Sequence, residues 1–235
     1  MKTIDLKSAV SATTYPGRGI IIGANETGHA VIAYFIMGRS ENSRNRIFMP
    51  QGDELRTEAF DPSKMKDPSL IIYNPVRVLG ENTIVTNGDQ TDTVWEGLKQ
   101  NVGFSESLAT REFEPDGPNF TPRISAMLTF GKGDFTYDMS ILKSADAEGT
   151  ACNRYTFSYP ALAGLGHFIH TYVTDGNPIP TFQGEPERMA IAADIDNFAA
   201  QLWTNLDEAN KISLYVRYTD LETGAVESRI INKNK

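Results

Sequence analysis

Cysteine, histidine and long apolar runs are all scarce in this sequence. Its 235 residues include one cysteine, Cys152, and three histidines. A single cysteine excludes an internal disulfide framework and a thiol-rich metal site, and it fits a reducing compartment. His167 and His170 lie three residues apart in an aromatic, β-branched segment. Strand geometry puts their side chains on opposite faces, which argues against a shared metal ion.

Positive charge is also in deficit. The formal net charge is -8 and the pI is near 5.0, whereas binding to a nucleic-acid backbone requires a basic face. We therefore expect no nucleic-acid partner, although a local basic pocket is compatible with this balance. No apolar run is long enough to cross a membrane, and the N-terminal segment lacks the apolar core of a signal peptide. The sequence predicts a soluble, cytoplasmic protein with no membrane partner.

A predicted β-hairpin near the start of the chain carries most of the arginines of interest. Apolar runs at 20–22 and 31–37 are separated by a turn-forming cluster at 25–28, which is typical of a hairpin. Arg18 precedes the first strand, and Arg39, Arg44 and Arg46 follow the second. Antiparallel pairing brings Arg18 and Arg39 to the same end of the sheet. Because a guanidinium group matches the oxygens of phosphate or carboxylate, this end is a candidate anion site.

The remaining pattern predicts a strand-rich fold of the α+β class. We expect one domain over residues 1–235, with 1–14 as an N-terminal leader. Roughly nine to eleven strands and three helices favour a four-layer α-β-β-α sandwich of two mainly antiparallel sheets, and a single sheet with helices on one face is the alternative. The turn at 87–92 ends in a predicted helix cap, Asp92. The predicted helices cover 94–102, 105–113 and 195–206, and the predicted strands cover 20–22, 31–37, 54–60, 69–78, 83–86, 124–130, 135–142, 151–159, 167–173, 212–218 and 225–231.

Three groups of polar residues could carry chemistry. Arg18, Arg39 and Arg46 form the candidate phosphate site, although a single exposed arginine after a strand is more often a solubilising residue. The second group consists of two short polar segments whose side chains can form hydrogen bonds with the edge of a heterocycle or with an amide. The competing interpretation is that these residues only form ordinary turns. The third group contains a candidate general acid or base and an arginine, in what is otherwise an ordinary charged loop. The second group is Tyr73, Asn74, Asn87, Gly88 and Asp89, and the third is Glu114, Asp116, Thr121 and Arg123.

Several short segments, taken in order, resemble the archaeal-type IMP cyclohydrolase family. They are Y-x-G-R at 15–18, AY followed by RS at 39–40, NR at 45–46, YN at 73–74, TNGDQTDT at 86–93, TPRI at 121–124 and GEP at 184–186. Each match is short, but seven in the same order are fairly specific. The chain departs from the family in its N-terminal leader, a longer turn after Arg39 and a looser loop before Thr121.

The resemblance implies the last step of de novo purine synthesis, the reversible closure of 5-formamidoimidazole-4-carboxamide ribotide to IMP with loss of water. It also implies an N-terminal-nucleophile-hydrolase-like fold without a processed nucleophile, and a homo-oligomer. On this resemblance the substrate would be a purine ribonucleotide, and the reaction would require no metal or redox cofactor.

The resemblance also suggests a role for each candidate residue. Arg18, Arg39 and Arg46 would bind the phosphate, and Tyr73 would donate a hydrogen bond to the developing oxyanion. Glu114 or Asp116 would relay protons. Asn74 and Asn87 would orient the carboxamide, Arg123 would lie near the phosphate or the formyl oxygen, and Gly88, Asp89 and Thr121 would complete the substrate-binding set.

Two other functions remain open. One is an amide hydrolase on the same scaffold, which would need an exposed N-terminal nucleophile in place of Met1. The other is a non-catalytic purine-nucleotide-binding protein, in which the arginines hold the ligand and the proton-transfer groups are misplaced.

Overall fold

The computed structural model describes residues 3–234, so the expectation concerning Met1 lies outside the described residues. Two antiparallel sheets dominate this part of the chain. Sheet A consists of β1 (Arg18–Ala24), β2 (His29–Met37), β10 (Leu165–His170), β11 (Glu187–Ala190), β12 (Lys211–Asp220) and β13 (Val226–Asn232), in the spatial order β11-β10-β1-β2-β12-β13.

Sheet B has seven strands, which are neighbours in chain order. They are β3 (Arg46–Gln51), β4 (Glu54–Ala59), β5 (Val76–Leu79), β6 (Asn82–Thr86), β7 (Arg123–Phe130), β8 (Phe135–Ser144) and β9 (Cys152–Pro160). The α-helices are α1 (Leu6–Ser11), α2 (Glu41–Arg44), α3 (Gln90–Lys99), α4 (Phe104–Leu108) and α5 (Ile195–Asn205), and a short 3-10 helix covers Pro62–Lys64.

Three apolar clusters define the order of the layers. The first packs α1 and α5 against the outer face of sheet A, through residues such as Val10, Phe198 and Phe35. The second fills the space between the two sheets, and the third packs α3 and α4 against sheet B. Because side chains alternate between the faces of a strand, β2 contributes Phe35 to the first cluster and Tyr34 to the second. The mixed α+β class and the two antiparallel sheets agree with the prediction.

The predicted β-hairpin is confirmed as β1 and β2, at the centre of sheet A. Arg18 lies opposite Ile36 in the register, so Arg18 and Arg39 lie at the same end of the sheet. Asn25 stabilises the turn at the other end, because its Oδ1 accepts hydrogen bonds from the backbone N–H groups of Thr27 and His29 at 3.1 and 2.8 Å. The turn chemistry therefore sets the register that brings the two arginines together.

The long predicted helix is also confirmed. It covers Ile195–Asn205, and Asp194 caps it by accepting a hydrogen bond from the N–H of Asn197 at 2.7 Å. The segment predicted to be a leader contains a further helix, α1, whose buried face packs on α5. Asp5 caps α1 through the N–H of Ser8 at 2.9 Å.

The prediction of one strand over 69–78 is wrong. Residues 69–71 form a turn and residues 72–75 are irregular, and strand β5 begins only at Val76. Pro75 lacks the N–H group that a ladder requires, while its carbonyl accepts a hydrogen bond from Thr86 at 2.9 Å. The strand therefore starts immediately after the proline, and Tyr73 lies in the connecting segment.

Other boundaries also differ from the prediction. Helix α3 begins at Gln90, so Asp92 lies in its first turn rather than at its N-cap, which is Asp89. The second short helix ends at Leu108 instead of continuing to residue 113. Strands β3 and β11 were not predicted, because β3 contains Pro50 and β11 has only four residues.

No helix within residues 3–234 has the length and apolar character needed to cross a bilayer.

Candidate active site

A cavity of about 300 Å³ opens at the end of sheet A where the arginines converge. Its walls come from the start of β1, the segment that follows β2, the loop between α4 and β7, and the segment that follows β10. Five of the predicted residues line it, namely Arg18, Arg39, Glu114, Asp116 and Thr121. Two segments that are far apart in sequence therefore meet here.

Arg18 and Glu114 form a buried pair in this cavity. Arg18 Nη2 lies 3.7 Å from Glu114 Oε2, and the two side chains are only 9% and 2% exposed. Neither group is saturated, since Arg18 Nε and Glu114 Oε1 are buried and have no hydrogen-bond partner among the described residues. The pair therefore offers both a donor and an acceptor to a bound molecule.

Burial sets the protonation of this pair. It raises the pKa of the Glu114 carboxyl group, while Arg18 and Arg123 act in the opposite direction. Burial alone would lower the pKa of Arg18, but Glu114 and the three tyrosines Tyr172, Tyr73 and Tyr15 together outweigh it, and the pKa is raised. Arg18 thus stays a cation. The pKa of Glu114 is shifted towards the range in which a carboxyl group can both give and take a proton.

A second buried group lies close to this pair. The hydroxyls of Tyr34 and Tyr73 are 2.7 Å apart, and burial raises the pKa of each phenol. Arg18 and Arg46 lie near enough to Tyr73 for their charges to oppose that shift. Thr57 holds the backbone of Tyr73, because its Oγ1 accepts the N–H of Tyr73 at 2.8 Å. Tyr73 is 6% exposed and lies outside the set of residues that line the cavity.

Arg46 is fully buried and does not itself line the cavity. Its Nε and Nη2 donate to the backbone oxygen and Oγ of Ser43 at 2.8 and 2.9 Å, and Ser43 is a lining residue. Its Nη1 has no partner among residues 3–234. Burial lowers the pKa of Arg46. The guanidinium supports the cavity wall and places a positive charge behind it.

The mouth of the cavity is more polar. Arg39 is about one third exposed, forms an ion pair with Asp175 at 2.5 Å, and donates to the carbonyl of Gly176 at 2.8 Å. Its guanidinium also lies 5.3 Å from the ring centroid of Tyr15, which stacks on Tyr172. An aromatic pair and a partly exposed arginine therefore form one wall.

Asp116 and Thr121 are bonded to each other. Both carboxylate oxygens of Asp116 accept hydrogen bonds from Thr121, one from its N–H at 2.6 Å and one from its hydroxyl. Since the Thr121 hydroxyl has a single proton, it accepts from the hydroxyl of Tyr172 at 2.5 Å. Glu114 N–H donates to the carbonyl of Thr121 at 2.8 Å. This network closes the loop and positions Glu114.

The Asn87 turn is organised differently. Asn87 is fully buried, and its Oδ1 accepts from Gln90 Nε2 and from the N–H of Ile124, both at 2.9 Å. Its Nδ2 donates to the carbonyl of Pro122 at 2.8 Å. These bonds join the start of α3 to the start of β7 and leave Asn87 outside the cavity lining.

Arg123 belongs to the same cluster. Its Nη1 donates to Asp89 at 2.7 Å and to Gln90 Oε1 at 2.8 Å, and Asp89 also pairs with Arg111 at 2.5 Å. Although Asp89 is partly buried, Arg111 and Arg123 hold its pKa below the ordinary value. A Cβ at Gly88 would lie 2.6 Å from Arg123 Nη1, so a larger residue there would displace this guanidinium group.

The structure thus brings together part of the predicted set. The other predicted residues lie outside the cavity lining, namely Arg46, Tyr73, Asn74, Asn87, Gly88, Asp89 and Arg123. Asn74 is half-buried. Tyr15, Tyr34 and Tyr172 were given no role by the sequence interpretation. Tyr15 belongs to a quoted segment, Y-x-G-R, and Tyr34 is a hydroxyl-bearing residue inside an apolar strand, which was the available signal.

These features define an α+β protein with two stacked antiparallel sheets and a small, polar, partly buried cavity. A family model described as IMP cyclohydrolase-like protein matches residues 15–224. The chain belongs to this family.

Relatives named IMP cyclohydrolase support the assignment. The protein of Methanococcus maripaludis strain C6 is 33% identical over 123 residues, which cover 49% of this chain and 58% of that protein. The protein of Methanopyrus kandleri is 30% identical over 151 residues, which cover 60% of this chain and 75% of that protein. The chain therefore spans little more than half the length of the Methanococcus relatives that it matches.

Proposed function

We propose that this protein is an IMP cyclohydrolase, which closes 5-formamidoimidazole-4-carboxamide ribotide to IMP and catalyses the reverse reaction. Family membership supports this proposal, and the observation that carries it is the buried Arg18–Glu114 pair with its unpartnered polar atoms. We extend the proposal to an N-terminal-nucleophile-hydrolase-like fold, a purine ribonucleotide substrate, a homo-oligomer and a cytoplasmic location.

The reaction requires two proton movements. The carboxamide nitrogen forms a bond to the formyl carbon and gives up one proton, while the formyl oxygen takes one. The formamido nitrogen then loses its proton as the C–O bond breaks, and the oxygen leaves as water. A base that later acts as an acid serves both steps. Glu114 suits this role because burial raises its pKa and because Oε1 has no protein partner within the described residues.

Glu114 is a better candidate than Asp116 for this proton relay. Asp116 directs both carboxylate oxygens to Thr121, so its proton-accepting positions are already in use. In this proposal Asp116 holds the loop, and Glu114 moves the protons.

The phosphate and the developing oxyanion need donors. Arg18 and Arg39 line the cavity and would bind the phosphate, with Arg46 adding positive charge from behind the wall. Tyr73 would donate to the formyl oxygen as negative charge develops there, since its raised pKa keeps the phenol protonated at neutral pH. Asn74 would orient the carboxamide and Thr121 would complete the site, while Asn87 and Arg123, whose hydrogen bonds are made within the protein, would support its wall together with Gly88 and Asp89. Of these, Thr121 alone lines the cavity.

The decisive experiment is an assay for ring closure. The pure protein is incubated with the formylated ribotide, and the appearance of IMP absorbance is compared with spontaneous closure without protein. We expect acceleration that is lost in Glu114→Gln and retained in the control Glu106→Gln, because Glu106 is an exposed residue of α4. If calorimetry detects IMP binding but the rate equals the spontaneous rate, the protein is a nucleotide-binding protein and the proposed activity is wrong.

A further inference from the structure

The loop formed by residues 173–181 follows β10 and contributes Ile179 to the wall of the cavity. Its two ends are joined, because the N–H of Val173 donates to the carbonyl of Pro180 at 2.9 Å. The N–H of Ile179 donates to Oδ1 of Asn119, a second lining residue, at 3.0 Å. These bonds fix the base of the loop and the residue that faces the cavity.

The tip of this loop, residues 174–178, is attached to the protein through one arginine. Arg39 Nη1 donates to Asp175 Oδ1 at 2.5 Å and to the carbonyl of Gly176 at 2.8 Å. Within the described chain, the tip makes no other hydrogen bond or ion pair with residues outside it. The Asp175 side chain is 46% exposed, and ion pairs exposed to this extent contribute little stability. The tip is therefore held weakly.

Arg39 has a second support that does not involve the loop tip. Its guanidinium lies 5.3 Å from the ring centroid of Tyr15, and Tyr15 stacks on Tyr172 with the ring centroids 5.8 Å apart. Both aromatic rings are buried. Loss of the contact with Asp175 would therefore leave Arg39 stacked at the mouth of the cavity.

Of the described residues, two arginines line the cavity, and each is opposed by a carboxylate. Arg18 faces the buried Glu114, whereas Arg39 faces Asp175, which lies outside the cavity lining. Carboxylate and phosphate oxygens accept hydrogen bonds from the same guanidinium N–H groups. Nη1 of Arg39 is thus occupied by an acidic group of the protein at the point where an anionic ligand would bind.

We propose that Asp175 is an internal competitor for the phosphate subsite at Arg39. Its carboxylate occupies the guanidinium when no ligand is bound, and the phosphate monoester of a bound nucleotide displaces it and releases the loop tip. Because a phosphate dianion carries more charge than a carboxylate, Asp175 selects for phosphate monoesters over singly charged anions. The inference rests on the phosphate subsite of the proposed function and does not depend on ring closure.

Asp175→Asn tests the competition, because it keeps the size of the side chain and removes its charge. Calorimetry at low ionic strength, where charge interactions are least screened, measures the binding of inorganic phosphate and of IMP. We expect both to bind about two- to fivefold more tightly than to wild type, the range that removal of one half-exposed ion pair allows.

Two control variants separate competition from a general charge effect. Asp196→Asn changes the net charge equally and removes another exposed ion pair, with Arg229 at 2.5 Å, outside the cavity lining. It should bind both probes as wild type does. Asp67 lines the cavity and forms no ion pair with Arg39, so Asp67→Asn should tighten binding less than Asp175→Asn does.

Several outcomes would overturn the competition. One is unchanged affinity in Asp175→Asn, and another is weaker affinity, which would mean that Asp175 orients Arg39 for the ligand. Equal tightening in Asp67→Asn would show that only the local charge matters, and failure of both wild type and Asp175→Asn to bind either probe would exclude the subsite. A protein that shows the expected affinities without accelerating ring closure would contradict the proposed activity and leave this inference standing.

Release of the loop tip has its own measurement in the wild-type protein. The amide of Asn177 shares a peptide group with the Gly176 carbonyl, which accepts from Arg39. Its NMR resonance should therefore shift as inorganic phosphate saturates the site, with the dissociation constant found by calorimetry. An Asn177 resonance that stays in place at saturation would show that the tip is not released and would overturn the proposal.

Discussion

Two buried polar regions of this protein differ in how their hydrogen bonds are used. At the cavity, Arg18 Nε, Arg46 Nη1 and Glu114 Oε1 are buried without partners in the described chain. At the Asn87 turn the side-chain amide is saturated, because Asn87 Oδ1 accepts two hydrogen bonds and Asn87 Nδ2 donates one to protein groups. Both regions contain residues that the sequence predicts to bind substrate.

This difference in hydrogen bonding indicates which region is suited to binding a ligand and which region supports the fold. A buried polar group without a partner costs about 1–3 kcal/mol, so several in one place are unfavourable unless another molecule supplies the missing bonds. A saturated group has little left to offer a ligand and stabilises the fold instead. We therefore expect substitutions at the cavity to reduce activity more than stability, and substitutions in the Asn87 cluster to do the reverse.

The largest expected effect is at Glu114. Glu114→Gln keeps the size of the side chain but removes the carboxyl group that we propose exchanges protons, so turnover should fall by about 10²–10⁴. Steady-state kinetics of ring closure measure it, and Glu106→Gln serves as the exposed control. A Glu114→Gln enzyme with wild-type turnover would remove Glu114 from the proton relay.

The next effect is at Tyr73. Tyr73→Phe removes the hydroxyl that we propose donates to the developing oxyanion, and it should reduce turnover by about 10²–10³. Tyr34→Phe, which removes the other hydroxyl of the pair, should have a smaller effect because in the proposed mechanism Tyr34 contacts Tyr73 and not the substrate. Turnover within a factor of about three of wild type in Tyr73→Phe would exclude the role.

On the other side of the comparison, Asn87→Ala should reduce the free energy of unfolding by about 2–4 kcal/mol, because it leaves the N–H of Ile124 and the carbonyl of Pro122 buried and unpaired. Urea unfolding measures the change. Gln201→Ala, on the exposed side of α5, should stay within about 0.5 kcal/mol of wild type. An unchanged midpoint in Asn87→Ala would mean that water replaces its hydrogen bonds.

The smallest effect concerns pH. Burial raises the pKa of Glu114 in the folded state, so folding favours the neutral carboxyl group. The neutral group therefore contributes to stability at low pH. This contribution is lost as the pH rises through the raised pKa. The stability of wild type relative to Glu114→Gln should therefore decrease from acid to neutral pH. Unfolding free energies of both proteins across this range measure the difference, and a difference that increases with pH would contradict the raised pKa.

Local patterns predicted those parts of the fold in which one segment determines its own structure. The hairpin of β1 and β2 follows from two apolar runs and an Asn-Glu-Thr-Gly turn, and α5 follows from its apolar stripe and the cap at Asp194. The strand predicted over 69–78 failed, because Pro75 divides it into a turn and the short strand β5. Strand β11, with four residues, is too short for periodicity to detect.

Residue types and their spacing were sufficient to identify the family, to predict the hairpin that places Arg18 and Arg39 together, and to predict the amphipathic helix. Which polar residues remain available to a ligand became clear from the folded chain. Asn87 is saturated by Pro122 and Ile124, which follow it by more than thirty positions, whereas Glu114 meets Arg18 across nearly a hundred residues and still has an unpaired oxygen. Hydrogen-bond saturation depends on partners that are distant in sequence, and residue type and spacing do not specify them.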